Sequence, residues 1–192
     1  EKKYTFEVQD PVVTDINWGK SYKQSYLAGY LIGGCKKEIK IASLPQFENS
    51  IYDKPLSTPV IRSVTSSDSS AATVKKAEDG SSFTIEAKDV SEEKKVKITV
   101  IEDVLGDSKP LTKEITVYPS TDKGIASMLS KETIYAMNQS LFPEPFKFTL
   151  NEDGVSGTVS ILAESDNNKK YYATSTFKVE NKQISVTMSD QV

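Results

Sequence analysis

The residues that can do chemistry are few and scattered. Gly106-Asp107-Ser108-Lys109-Pro110 resembles a serine-protease nucleophile loop, but the 192-residue chain contains no histidine. That leaves this serine without the usual general base. Ser91 to Lys94 and Ser120 to Lys123 have the Ser-x-x-Lys spacing of a serine–lysine dyad. Such a dyad needs a desolvated lysine, whereas both segments are polar. Glu92-Glu93, Glu102-Asp103 and Glu152-Asp153 are paired carboxylates of the kind that hydrolyse glycosides. Neighbouring residues on a strand point to opposite faces, so such pairs do not converge. Asp166-Asn167-Asn168 and Asn151-Glu152-Asp153 offer oxygen ligands without a calcium-loop spacing. No catalytic residue, metal site or cofactor is therefore expected, and the chain is read as non-enzymatic.

The aromatic series Trp18, Tyr22, Tyr26 and Tyr30 is the candidate binding feature. Aromatic faces stack on the apolar faces of sugars, and tyrosine adds a hydroxyl. The competing reading places these rings in a core. The series fits both a helix ending at Gly33 and one face of a strand. Its β surroundings favour the strand.

The elements that must position these groups are mostly strands. Tyr4, Phe6 and Val8 alternate with polar residues, Val12 to Trp18 and Glu38 to Leu44 are further strand candidates, and Val60 to Thr65 begins a regular series. Within it Phe83-Ile85-Ala87, Val96-Ile98-Val100 and Ile115-Val117 alternate, and Asp79-Gly80 marks a hairpin. Close strand spacing with turns between predicts a sandwich. Ser120 or Thr121 caps a short predicted helix carrying Ile125, Met128 and Leu129. The last fifty residues read as a four-stranded meander with turns at 151–154, 166–168 and 181–182. Its apolar face carries Phe146, Phe148, Phe177 and Val179 and must be covered by the helix, the first domain or a partner. The expected fold class is mainly β. An Ig-like β-sandwich with an N-terminal extension (1–119) is followed by a helical connector and a four-stranded antiparallel meander (120–192).

From Val60 onward the chain resembles a bacterial Ig-like domain of the group 2 or BACON type. The matching segments are VTSSDSSAATVKK (64–76), FTIEAKDVSEEKKVKITV (83–100) and KEITVYP (113–119), with GCKKEIKI (34–41) in the place of an early strand. The tryptophan often found before the serine-rich turn is absent, and Lys88 to Glu93 replaces the family's turn before the last strands. Over residues 34–119 the resemblance implies a non-catalytic module of an exported bacterial surface protein or lipoprotein, serving adhesion, glycan contact or scaffolding. It further implies a glycan or another surface protein as partner and an extracytoplasmic location at the cell surface or in the periplasm.

Charge and hydropathy narrow the field. The net charge is −3 with both signs interspersed, so nucleic-acid binding is not expected. No run approaches the length of a membrane span. Lys20 to Cys35 ends like a lipoprotein cleavage box, but its apolar stretch Tyr26 to Ile32 is short for a signal; a free thiol beside a Gly-Gly turn is expected instead. Two further functions remain open: a carrier of small apolar ligands in the meander, requiring a cavity beside Phe146, Phe148, Tyr171 and Phe177, and a histidine-free carbohydrate-active enzyme, requiring two carboxylates in one cleft.

Overall fold

A computed structural model describes residues 2–7, 29–40, 60–103, 110–134, 144–166 and 169–188. The chain is mainly β. It divides into two compact units, one comprising residues 12–90 and 94–117, the other residues 1–11, 91–93 and 118–192.

The first unit is built from β2 (Tyr30–Ile32), β3 (Lys36–Lys40), β4 (Val60–Ser66), β5 (Ala72–Lys76), β6 (Ser82–Ala87), β7 (Lys94–Asp103) and most of β8 (Pro110–Tyr118). Four strands pair in the order β2-β8-β7-β4 and three in the order β3-β6-β5. The orders β3-β6-β5 and β4-β7-β8 are those of the B-E-D and C-F-G strands of an immunoglobulin-type sandwich. The first strand departs from that scheme by lying beside the last one.

Alternation explains the packing. Val96, Ile98 and Val100 of β7 and Ile115 and Val117 of β8 turn inward to meet Ile39, Phe83 and Ile85 of the other sheet, and all are buried in one cluster. Ile61 and Val64 of β4 both join this cluster although their spacing is odd. A bulge between Ile61 and Ser63 makes that possible, because one extra residue reverses the side-chain phase.

Gly33 and Gly34 carry the chain from β2 in one sheet to β3 in the other. Gly34 has φ of 85°, which suits glycine. Gly33 packs so closely on Asp89 that a β-carbon would lie 2.9 Å from its Oδ1. Leu31 and Ile32 of the lipobox-like segment are buried, and Cys35 follows the Gly-Gly turn as a half-buried residue. The Asp79-Gly80 signal marks the β5–β6 hairpin, where Gly80 has φ of 70°.

The second unit is an antiparallel sheet in the order β1-β12-β11-β10-β9. Its strands are β1 (Lys2–Glu7), β9 (Lys147–Leu150), β10 (Ser156–Asp166), β11 (Lys169–Glu180) and β12 (Gln183–Met188). The four-stranded meander is present as β9 to β12. To it β1 adds a fifth strand, pairing from Lys2↔Met188 to Glu7↔Gln183 and covering the β12 edge.

The helix α1 (Asp122–Lys131) starts where Thr121 Oγ1 accepts the Gly124 N–H at 3.1 Å. It packs against β9 and β11. Ile125, Met128 and Leu129 are buried, as are Val159, Ile161, Phe177 and Val179 of the sheet. The apolar face of the meander is thus covered by its own connector helix. Phe148 meets Phe177 edge-on at 5.0 Å between ring centroids and Phe146 at 6.4 Å. No helix among the described residues is long and apolar enough to cross a membrane.

Candidate functional site

Of the aromatic series expected to bind, Trp18, Tyr22 and Tyr26 lie outside the described residues. Tyr30 opens β2 and is half-buried. Residues 106–109 of the Ser108 loop also lie outside, as do Asn167 and Asn168.

The carboxylates that sequence singled out go to different places. Glu92 and Glu93 are exposed, and Glu93 pairs with Lys131 at the end of α1. Asp153 closes the turn between β9 and β10: its Oδ1 accepts the N–H groups of Val155 and Ser156, both at 2.9 Å, and its Oδ2 accepts the Ser156 hydroxyl at 2.6 Å. Asp68 and Asp79 act in the same way. Each accepts both the N–H and the hydroxyl of the serine two residues on, Ser70 or Ser81. These bonds, with the Ser70 and Ser156 hydroxyls and the Ser81 N–H first in effect, hold the three carboxyls below the ordinary aspartate range. Such acids lock turns. Among the described residues no three of His, Cys, Asp or Glu come together as a metal-ligand group.

Lys113 lies on the inward row of β8, opposite Ile98 of β7. Burial pushes its ammonium pKa down.

The surface with the richest set of ligand-capable groups lies elsewhere, on the face of the five-stranded sheet turned away from α1. Because β11 alternates, Ser175, Phe177 and Val179 are buried while Tyr172, Thr174, Thr176 and Lys178 point outward. Register aligns these with their neighbours. Thr149↔Thr158, Thr158↔Thr176 and Thr176↔Thr187 form one row across four strands, and Lys147↔Ser160↔Thr174 form the next. Adjacent strands lie about 4.8 Å apart, so the hydroxyls repeat at that interval.

Tyr172 stands at one end of these rows, opposite Leu162. At 43% relative exposure it is the exposed large hydrophobic residue among those described. Its hydroxyl donates to Glu144 Oε2 at 2.7 Å, and Lys147 Nζ stands 5.7 Å from the ring centroid, near the outer limit of a cation–π contact. Lys178 Nζ reaches Glu180 Oε1 at 2.8 Å, and this carboxylate raises the lysine pKa.

Sequence reasoning passed over this face because it followed the apolar phase of β11. The signal lay in the opposite phase, where Tyr172, Thr174 and Thr176 alternate with Ala173, Ser175 and Phe177. Glu144 lies 28 residues before Tyr172 in the sequence, and neither it nor Lys147 carries a local sign of meeting that ring. Comparison with protein-family models, with curated proteins and with solved structures finds no match to this chain.

Proposed function

We propose that this chain is a non-catalytic module of an exported bacterial cell-surface protein, serving adhesion, glycan contact or scaffolding. The observation that carries the reading is the strand order of the first unit, β3-β6-β5 and β4-β7-β8, around one apolar core. That order fits the resemblance of residues 34–119 to bacterial Ig-like domains, and it is this resemblance that implies a non-catalytic module. The turn aspartates add support, since Asp68, Asp79 and Asp153 are engaged in local hydrogen bonds. On this reading the protein works outside the cytoplasm, and its partner is a glycan or another surface protein.

The test incubates the purified chain with a panel of plant, fungal and bacterial polysaccharides. Released reducing ends and retention on the insoluble fractions are measured together. Retention without release is the expected result. Release of sugar that follows the chain through repurification overturns the reading.

A further inference from the structure

We infer that the outward face of the five-stranded sheet is a binding surface for a neutral glycan chain, with Tyr172 as its anchor. The inference rests on the glycan-contact branch of the proposed function and locates that contact outside the Ig-like unit.

The chemistry begins with the ring. Tyr172 offers exposed aromatic surface beside its half-buried cross-strand partner Leu162, on a face whose neighbouring rows carry hydroxyls. A pyranose presents an axial C–H face that packs on such a ring and a rim of hydroxyls that seek partners. The Glu144 bond fixes the phenol, and Lys147 borders the ring. Less side-chain freedom is then lost on binding. Around the ring stand donors and acceptors of the kind a sugar uses: the Lys147 ammonium, Ser160 and Thr174 in the nearest row, then Thr149, Thr158 and Thr176. Each hydroxyl both donates and accepts, so the rows match sugar hydroxyls in either role. Threonine is stiff about χ1, which holds these groups in place on a rigid sheet.

Charge selects the class of glycan. Among the described side chains of this face, Lys178 is paired with Glu180, Glu144 accepts from Tyr172, and Lys147 lies against the ring. Lys147 and Lys178 against Glu144 and Glu180 leave these side chains with no net charge, which suits an uncharged ligand. A protein partner is disfavoured for a separate reason. Protein interfaces gather apolar and aromatic residues at their centre, and here the described residues supply one exposed large hydrophobic group, with half-buried Leu162 opposite it and hydroxyls in the next rows.

The experiment prints neutral oligosaccharides and sulfated or carboxylated ones on one array and probes it with the whole chain. Wild type is compared with Tyr172→Ala, with the double variant Thr174→Val/Thr176→Val, and with Tyr30→Ala. Circular dichroism and thermal melts confirm that each variant is folded. The expected result is binding to neutral glycans that persists in high salt. Tyr172→Ala should weaken it about tenfold and the double valine variant about fivefold. Loss of binding in Tyr30→Ala with Tyr172→Ala unaffected overturns the location and leaves the surface-module reading standing. Absence of binding by folded wild type, or binding confined to acidic glycans and abolished by salt, overturns the inference without touching the scaffolding role. Cleavage of a printed glycan overturns both.

Discussion

The carboxylate of Asp122 accepts the backbone N–H of Lys182 at 2.7 Å, and its second oxygen accepts that of Asn181 at 3.1 Å. One residue thereby joins the first turn of α1 to the hairpin between β11 and β12. The acid also sits where the helix N-terminus favours negative charge. Asp122→Ala removes both acceptors and leaves two turn N–H groups to solvent. A loss of about 1–2 kcal/mol in unfolding free energy is expected, read from urea titration. A midpoint within error of wild type would show that the latch contributes nothing.

The same hairpin contains a strained position. Asn181 and Lys182 have φ of 54° and 62°, both left-handed, as a two-residue type I′ turn demands. Asparagine tolerates this region, and lysine does so at a cost that glycine avoids. Lys182→Gly creates the favoured Asn-Gly pair while keeping the N–H that Asp122 accepts. Stability should rise by about 0.5 kcal/mol after the added flexibility of the unfolded chain is counted. A fall in melting temperature would contradict the strain argument.

The fold was legible wherever local alternation ran uninterrupted. Val96-Ile98-Val100 and Phe83-Ile85-Ala87 fixed β7 and β6, and Thr121 before Ile125, Met128 and Leu129 fixed α1. Turn chemistry marked the hairpins at Gly80, Gly154 and Asn181-Lys182. What stayed hidden was non-local. Nothing in Lys2–Glu7 specifies Gln183–Met188 as its partner, because strand alternation names a face and not a neighbour. The bulge in β4 is hidden for a related reason, since Val60 to Thr65 reads as a strand without showing where an extra residue shifts its phase. Of the aromatic series Trp18, Tyr22, Tyr26 and Tyr30, the first three lie outside the described residues. The exposed aromatic among the described residues is Tyr172, whose partners Glu144 and Lys147 come together only through sheet register.

Gly157 is a position where the sheet accepts no side chain. It faces Phe177 across the β10–β11 ladder. A β-carbon there would stand 2.8 Å from Phe177 Cε1 and collide with the Thr149 carbonyl oxygen of β9. The Phe177 ring, edge-on to Phe148, occupies the space left by the missing side chain. Gly157→Ala must therefore separate β9 from β10 or displace the aromatic cluster, and a loss of about 3 kcal/mol is expected. Gly154 provides the comparison. It has φ of 70° and open space around its would-be β-carbon, so Gly154→Ala meets only backbone strain, about 1 kcal/mol. Equal costs for the two substitutions would refute the steric account of Gly157.

Asp68, Asp79 and Asp153 predict the acid response. Hydrogen bonds to their ionised forms hold all three pKa values below the ordinary aspartate value in the folded chain. The unfolded chain therefore binds protons first as pH falls. Their contribution to stability is complete above about pH 4, the unfolded aspartate value. It is lost as the pH drops through the lower folded values. Asp79 and Asp153 are exposed and Asp68 is half-buried, so the effect is modest and salt changes it little where the bonds are to adjacent N–H and hydroxyl groups. The triple variant Asp68→Asn/Asp79→Asn/Asp153→Asn keeps an acceptor in each turn but removes the titrating charge. Melting curves from pH 7 to pH 2 should show the variant below wild type at neutral pH, with a flatter profile under pH 4 and the two converging near pH 2. Parallel profiles across that range would mean that these turns do not couple folding to protonation.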